Sequence, residues 1–167
     1  MTDINNILQY IVKYGYIFLA IIVFLEYLNL PGLPAGIIMP AAGILVKYDG
    51  LNFTYTLIVS VISGLLGSFA LYALGYYCGK PILNKLQNKF PKSKKAIDKT
   101  YKYMDRYGNF GVLVARVIPV ARTLISLVAG TFNVEFIKFT LYSVIGITIW
   151  NFALIYSGYA FSYLFLK

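Results

Sequence analysis

The sequence contains no histidine, a single cysteine, Cys78, and only six acidic residues among 167. Without histidine, the chain lacks the commonest general acid–base side chain and the imidazole that many zinc sites use. A lone cysteine excludes an intrachain disulfide and leaves no second thiol for a metal site. We therefore expect no catalytic residues, no metal and no cofactor, and we expect a protein that is not an enzyme.

Charged residues make up 13% of the chain and hydrophobic residues 59%. Four apolar runs each exceed the ~20 residues that a membrane-spanning helix needs; they are 17–46, 51–79, 110–134 and 139–166. The only charged residues within them are Glu26, Arg116 and Arg122. The sequence therefore predicts an all-α integral membrane protein with one membrane domain over residues 1–167.

Arg116 and Arg122 lie in one apolar run, with Pro119 between them. An arginine at the centre of a bilayer helix costs about 2.5–3.5 kcal/mol on insertion scales, so a pair of them needs a reason. Because proline breaks helical hydrogen bonding, we expect the chain to turn back at Pro119 and to aim both guanidinium groups at one point. Such a pair would bind a phosphate or carboxylate inside the membrane. Alternatively, both arginines reach the headgroup region and only fix the depth of the segment.

The run 17–46 is interrupted by prolines and glycines concentrated in residues 31–43. This density predicts two short helical arms joined by an irregular tip that includes Pro34 and Gly36. Irregular backbone at membrane depth must be buried in protein or face a watery cavity. Glu26, on the first arm, is the only acid in the four runs and is the candidate counter-ion or proton carrier.

Two segments outside these runs are predicted to lie at the membrane surface. Residues 3–13 have apolar positions at helical spacing, which indicates an interfacial helix. Residues 80–106 carry nine Lys/Arg against Asp98 and Asp105, which indicates a basic amphipathic linker. Positive charge beside membrane spans favours the cytoplasmic face of a bacterial plasma membrane, so we expect no nucleic-acid partner.

Small residues recur at every fourth position of the run 51–79, at Ser60, Gly64 and Ser68. A stripe of this kind suits close helix packing, which is the favoured interpretation. The stripe also leaves room for a homodimer, and its serines could contact a ligand.

An internal repeat relates residues 15–79 to residues 107–160. At an offset of 83 positions, Ser60–Ile62 recurs as Ser143–Ile145, Phe69–Leu71 as Phe152–Leu154, and Gly75–Tyr76 as Gly158–Tyr159. Each half then consists of a proline-broken hairpin and a full span. A re-entrant hairpin plus one span crosses the membrane an odd number of times, so the second half must be inverted. The predicted fold is an inverted repeat of two such units, which is an architecture of transporters.

Three motifs of the sequence are ARVIPVAR at 115–122, Ala129–Gly130 and Trp150–Asn151. They resemble motifs of the DedA family of bacterial membrane proteins, which is related to the eukaryotic VTT-domain lipid scramblases. The resemblance covers about residues 14–159. It implies opposed re-entrant hairpins and movement of lipids, with undecaprenyl phosphate and phosphatidylethanolamine as family substrates and frequent dependence on proton motive force. It also implies that Glu26, Arg116 and Arg122 are needed for function.

Two positions depart from the pattern of that family. Gly36 stands where an acid usually follows the first proline tip, and Ser68 stands where an acid commonly follows Gly67. Fewer carboxylates are then left to carry a proton, so we expect transport that depends weakly on a proton gradient.

The leading hypothesis is a flippase-like or scramblase-like transporter that moves a phosphorylated lipid headgroup between leaflets, with membrane lipids as its partners. Two alternatives stay open. One is a proton-coupled exchanger of small ions or drugs that uses Glu26, and the other is a structural protein of membrane assembly.

Overall fold

A computed structural model of the chain describes residues 2–28, 35–48, 51–89, 106–118, 121–122 and 124–165, together with positions 98, 100 and 102. This part of the chain is helical apart from short turns, and it contains no strand. Its α-helices are α1 (Thr2–Tyr27), α2 (Ala35–Tyr48), α3 (Phe53–Lys89), α4 (Gly111–Val117), α5 (Leu124–Thr131) and α6 (Phe136–Phe165). A 3-10 turn, Gly108–Phe110, precedes α4. The prediction of an all-α fold is confirmed.

Two stretches are long and apolar enough to cross a membrane, Phe53–Gly79 in α3 and Phe136–Ser162 in α6. Each has 27 residues, which is about 40 Å of helix and more than the ~30 Å hydrocarbon layer requires. The first lies in the run 51–79, and the second overlaps the run 139–166 but begins three residues earlier, at Phe136. Tyr14–Tyr27 in α1 and Ile37–Lys47 in α2 are shorter apolar helices.

The apolar part of α3 ends at Gly79, where the backbone has φ 55° and ψ −150°. An L side chain rarely adopts this positive φ, so glycine allows the chain to change direction here. Pro81 follows and removes a further helical hydrogen bond. The helical residues from there to Lys89 form the first part of the basic linker, most of whose remainder lies outside the described residues.

The first helix differs from the prediction in one respect. α1 runs without a break from Thr2 to Tyr27, so residues 3–13 are the first part of this helix and not a separate element. A single glycine, Gly15, marks the expected boundary, but one glycine costs a helix only about 1 kcal/mol and does not end it. The surface location of residues 3–13 stays a prediction.

The predicted hairpin tips lie largely outside the described residues, which include neither Pro34 nor Pro119. Gly36 is the second residue of α2. Before Pro119, α4 ends at Val117, and Ile118 is extended with φ −96° and ψ 119°. That is the conformation that a residue preceding proline prefers, so the proline accounts for the end of α4.

The two spans run antiparallel. Phe53, at the start of α3, contacts Tyr159 near the end of α6, with ring centroids 6.4 Å apart. Phe136, at the start of α6, contacts Tyr72 towards the apolar end of α3, with centroids 5.6 Å apart. The beginning of each span therefore lies beside the end of the other.

The short helices pack against the spans in a reciprocal manner. α1 packs on α3 and α4 packs on α6, so each contacts the span that follows it in the chain. α2 packs on α6 and α5 packs on α3, so each of these contacts the span of the other half. The two halves are held together by this exchange.

Both exchanged contacts depend on glycine. A Cβ at Gly158 would overlap the carbonyl oxygen of Pro40 in α2, and a Cβ at Gly75 would overlap that of Leu127 in α5. Gly43 in α2 lies equally close to backbone atoms of α6, and Gly130 in α5 lies equally close to backbone atoms of α3. Because the obstacles are backbone atoms, no side-chain rotation can make room for a methyl group.

Buried apolar side chains form two clusters. One contains Phe139, whose ring lies 5.5 Å from Cζ of Arg116. The other contains Tyr27, whose ring lies 5.3 Å from Cζ of Arg122. Each arginine is therefore placed by a different part of the core.

Candidate functional site

Glu26, Arg116 and Arg122 are the charged side chains that the described part of the chain buries, with 3%, 2% and 4% of their surfaces exposed. Glu26 lies in the last turn of α1 and Arg116 in the last turn of α4. Arg122 lies in the turn before α5. Burial of charge is costly unless the charge is paired and hydrogen-bonded, so the partners of each group decide what the site can do.

Arg122 and Glu26 form an ion pair, in which Nη2 of the arginine donates to Oε1 of the carboxylate. The backbone N–H of Arg122 also donates to the carbonyl oxygen of Ile118, at 3.0 Å. The turn after α4 is thus held in place while its side chain reaches α1. The ion pair links the two halves of the chain close to the proline-containing interruption of each apolar run.

Aromatic rings surround the guanidinium group of Arg122. Its Cζ lies 5.2 Å from the ring of Trp150 and 5.3 Å from that of Tyr27. Such cation–π contacts contribute up to about 2 kcal/mol when they are desolvated. The hydroxyl of Tyr27 donates to Oδ1 of Asn151 at 3.1 Å, and Nδ2 of Asn151 donates to Oγ of Ser60, also at 3.1 Å. Both spans therefore fix the ring that contacts Arg122.

Arg116 is surrounded by hydroxyl groups, and no carboxylate pairs with it among the described residues. Its Nη2 donates to Ser143 at 2.7 Å and to Ser126 at 3.2 Å, and its Nη1 donates to Ser68 at 3.3 Å. Neutral hydroxyls orient a guanidinium group and replace part of its hydration, but they leave its charge uncompensated.

The three buried charges sum to +1, and several of their polar atoms have no hydrogen-bond partner within the described part of the chain. The unpaired donors are Arg116 Nε, Arg122 Nη1 and Trp150 Nε1, and the unpaired acceptor is Glu26 Oε2. Buried polar atoms in folded proteins are nearly always paired. Unpaired donors together with excess positive charge favour an anion over a cation. No cluster of potential metal ligands occurs among the described residues.

The structure thus brings two of the three predicted site residues into direct contact, Glu26 and Arg122. The partners that it gives to Arg116 are different from those of Arg122. Convergence of both guanidinium groups on one ligand therefore stays a prediction, as do the roles of Pro34, Gly36 and Pro119 at the hairpin tips.

Sequence reasoning missed the hydroxyl partners Ser126 and Ser143 and the ring of Tyr27. A signal for Ser143 existed, because it is the repeat counterpart of Ser60. Ser126 and Tyr27 carry no comparable signal, since serine and tyrosine are common on apolar helices and only the tertiary structure shows which of them face a charge.

The small-residue stripe of α3 faces the interior of the chain. Ser60 and Ser68 are buried and hydrogen-bonded to Asn151 and Arg116. Gly64 lies against the ring of Tyr27, which a Cβ would approach to 3.1 Å. The packing interpretation is confirmed, and this face does not offer the surface for a homodimer that the sequence left open.

Taken together, the antiparallel apolar spans and the buried, net positive cluster of charges are features of a helical membrane protein. The family model described as the VTT domain matches residues 33–160. The chain therefore belongs to the VTT-domain family, and the resemblance to DedA proteins is confirmed.

Individual relatives cover most of the chain. The chain is 31% identical over 155 residues to undecaprenyl phosphate transporter A of Bacillus subtilis (strain 168), and the match covers 93% of this chain and 76% of that protein. Protein DedA of Escherichia coli (strain K12) is 26% identical over 163 residues, with 93% and 74% coverage. An alkaline phosphatase-like protein of Lactococcus lactis subsp. lactis (strain IL1403) is 28% identical over 159 residues, with 92% and 74% coverage. No solved structure matches the chain.

Proposed function

We propose that this protein moves a phosphorylated lipid between the leaflets of a bacterial plasma membrane, with the phosphate held by Arg116 and Arg122. The observation that carries this proposal is the buried site of net charge +1, in which three hydrogen-bond donors have no partner among the residues that the structure describes. The B. subtilis relative is named for transport of undecaprenyl phosphate, a lipid whose headgroup suits such a site. The acyl or isoprenyl chains stay in the bilayer while the arginines replace the hydration of the headgroup.

Glu26 is the internal counter-ion in this proposal. In the structure it pairs with Arg122 and neutralises one of the two cations. A phosphate monoester carries about −1.5 to −2 charges at pH 7, so its arrival changes the net charge of the site from +1 to about −0.5 to −1. The phosphate then competes with Glu26 for Arg122, and return of Glu26 to the arginine favours release.

An inverted repeat of residues 15–79 and 107–160 would supply the movement between leaflets. Antiparallel spans, reciprocal packing of the short helices and matching glycine contacts support it. Re-entrant hairpins are supported by the lengths of α2, α4 and α5, which have 14, 7 and 8 residues and are too short to span a bilayer. Inverted halves can rock against each other and expose a fixed site to one face at a time.

We propose no enzymatic activity for the chain, although the name of the L. lactis relative mentions a phosphatase. Phosphate ester cleavage needs a nucleophile with a base or a metal-activated water. The chain has no histidine, and the three serines around Arg116 accept hydrogen bonds from a cation rather than facing a base.

A proton-coupled exchanger is the second candidate, and Glu26 is the reason. Its Oε2 atom is buried without a hydrogen-bond partner among the described residues and could take up a proton. If exchange of ions were the function, Glu26→Gln would abolish all transport. In the lipid proposal the same variant still binds the headgroup.

Reconstitution in phosphatidylcholine vesicles tests the proposal. Labelled undecaprenyl phosphate and labelled phosphatidylethanolamine are followed separately for exchange between leaflets, with and without a proton gradient. We expect the protein to accelerate exchange of at least one phosphate lipid and expect most of that exchange to persist when the gradient is collapsed. Absence of lipid exchange combined with proton-driven movement of a small ion would favour the exchanger.

A further inference from the structure

Two surface cavities are lined by residues at equivalent positions of the sequence repeat. Cavity 1, of about 650 Å³, has a lining that includes Phe69, Ala73, Tyr76, Val134 and Phe136. Cavity 2, of about 500 Å³, has a lining that includes Phe152, Tyr156, Tyr159, Leu51 and Phe53. In the order given, each residue of cavity 1 lies 83 positions from its counterpart in cavity 2, which is the offset of the sequence repeat. Both cavities are formed by the start of one span and the later part of the other.

The two cavities lie at opposite ends of the pair of spans. Phe53 begins α3 and lines cavity 2, whereas Tyr76 lies near the apolar end of α3 and lines cavity 1. The 23 residues between them extend about 35 Å along the helix, close to the ~30 Å thickness of the hydrocarbon layer. One cavity therefore opens near each membrane surface.

The chemistry of both linings suits a lipid that carries a phosphate. Aromatic side chains at the level of the headgroups contact the first carbon atoms of lipid chains. Beside cavity 2, Nζ of Lys47 lies 5.3 Å from the ring of Tyr159. At cavity 1, the lining carboxylate Glu135 is paired with Lys138 at 2.7 Å and adds no net charge. The positive charge at this end of α3 comes from the basic sequence 80–106, which begins directly after it. Cations beside an apolar, aromatic wall favour an anionic lipid over a free ion or a neutral lipid.

Cavity 1 is also close to the buried site. Tyr72 lines the cavity and stacks on Phe139, with ring centroids 4.6 Å apart. The ring of Phe139 lies 5.5 Å from Cζ of Arg116. A single aromatic ring thus separates the residue that lines the cavity from the arginine without a carboxylate partner.

We infer that cavities 1 and 2 are equivalent docking sites, one on each face of the membrane, for a lipid with a phosphate headgroup. The lipid binds at one of these cavities before it passes the arginine site and at the other afterwards. The second statement rests on the proposed transport function, whereas docking itself does not require transport.

Photochemical crosslinking tests the inference. A benzophenone amino acid replaces Tyr77 at cavity 1 or Tyr156 at cavity 2, both of which are exposed. Control variants carry it at Ile137 and Tyr55, which are also exposed and lie at the same two ends of the spans but line neither cavity. The probe is radiolabelled undecaprenyl phosphate at low abundance in phosphatidylcholine vesicles. We expect labelling at Tyr77 and Tyr156 to exceed that at both controls by about tenfold, and expect Lys47→Gln to reduce labelling at Tyr156 only.

Three patterns of labelling would overturn the inference. Equal labelling at all four positions would show that lipid covers the surface without docking, and labelling of one cavity alone would refute their equivalence. Adducts between two copies of the protein in place of lipid adducts would identify the cavities as a contact between chains. Leaflet exchange is measured in parallel with the unmodified protein. Lipid exchange without labelling at the cavities would contradict only the docking inference. Labelling at the cavities without lipid exchange would contradict only the proposed transport function.

Discussion

Arg116 and Arg122 are chemically identical side chains in different surroundings. Arg122 has a carboxylate and two aromatic rings around it, whereas Arg116 has three hydroxyls and one ring. Ser68 is one of those hydroxyls, and it stands where the resemblance to the DedA family predicts an acid. A carboxylate there would give Arg116 a counter-ion, which the described part of the chain does not supply, so the identity of residue 68 changes the net charge of the site.

Ser68→Asp is predicted to weaken binding of phosphate lipids. A carboxylate about 4 Å from a guanidinium group contributes roughly 4 kcal/mol of Coulomb energy at an effective dielectric constant of 20. We therefore expect the affinity for undecaprenyl phosphate in detergent micelles to fall by at least about tenfold. Ser68→Asn is the control, since asparagine has about the same size as aspartate but carries no charge. Equal affinities of the Asp and Asn variants would show that charge at this position does not govern binding.

Glu26→Gln changes the charge in the opposite direction, from +1 to +2. We expect tighter binding of the phosphate lipid and slower leaflet exchange, because nothing displaces the headgroup from Arg122. Binding and exchange are measured separately on protein of matched abundance. Asp98→Asn removes an exposed acid that lines neither cavity and serves as the control. A Glu26→Gln protein that binds no more tightly than wild type would contradict the counter-ion role.

At the scale of the helices, the sequence predicted some boundaries and not others. The two full spans follow from apolar length, and the end of α4 follows from Pro119, since both depend on local chemistry. The continuity of α1 through Gly15 was not predicted, because one weak helix former cannot be distinguished from a helix end without knowledge of its packing. The exchanged pairing of α2 with α6 and of α5 with α3 depends on tertiary contacts, although its glycines are visible in the sequence.

The exchanged helix contacts are predicted to tolerate no side chain. Gly158→Ala and Gly75→Ala place a methyl group against backbone carbonyl oxygens, and overpacking of this kind costs about 1–3 kcal/mol or more. Gly15→Ala is the matched control, because no atom lies within 4 Å of its Cβ position and alanine favours a helix by up to about 1 kcal/mol. Thermal unfolding in detergent should show lower midpoints for the first two variants and an unchanged or higher one for the third. Similar shifts in all three would contradict the close helix contacts.

At the scale of the whole molecule, the interruption of two apolar runs predicted a buried charged site, and the structure gives that site a geometry. Glu26 and Arg122 are 96 positions apart in the chain, yet the structure pairs them. The part that sequence could not supply is the second set of contacts, in which Ser126, Ser143 and Phe139 surround Arg116. Those contacts arise from how the helices cross, and no local pattern encodes a crossing.

The antiparallel arrangement predicts the faces on which particular residues lie. In protein that carries Cys78→Ser, single cysteines replace Tyr77, Ile137 or Tyr55. Tyr77→Cys and Ile137→Cys should react with a membrane-impermeant maleimide from the same face, which we expect to be cytoplasmic because the basic linker follows Gly79. Tyr55→Cys should react from the other face. Reaction of all three from one face would contradict the antiparallel spans.

The central claim is that Arg116 and Arg122 hold the phosphate of a lipid, and conservative substitution tests it most directly. Lysine keeps the charge but loses the planar, bidentate geometry of the guanidinium group. Arg116→Lys, Arg122→Lys and the control Arg106→Lys, whose arginine is exposed, are reconstituted at matched abundance and assayed for leaflet exchange of undecaprenyl phosphate. We expect the control to exchange lipid like wild type and expect both buried variants to be impaired nearly as strongly as the corresponding alanine variants. Wild-type rates in both buried lysine variants would show that the arginines only fix the depth of the segment in the membrane.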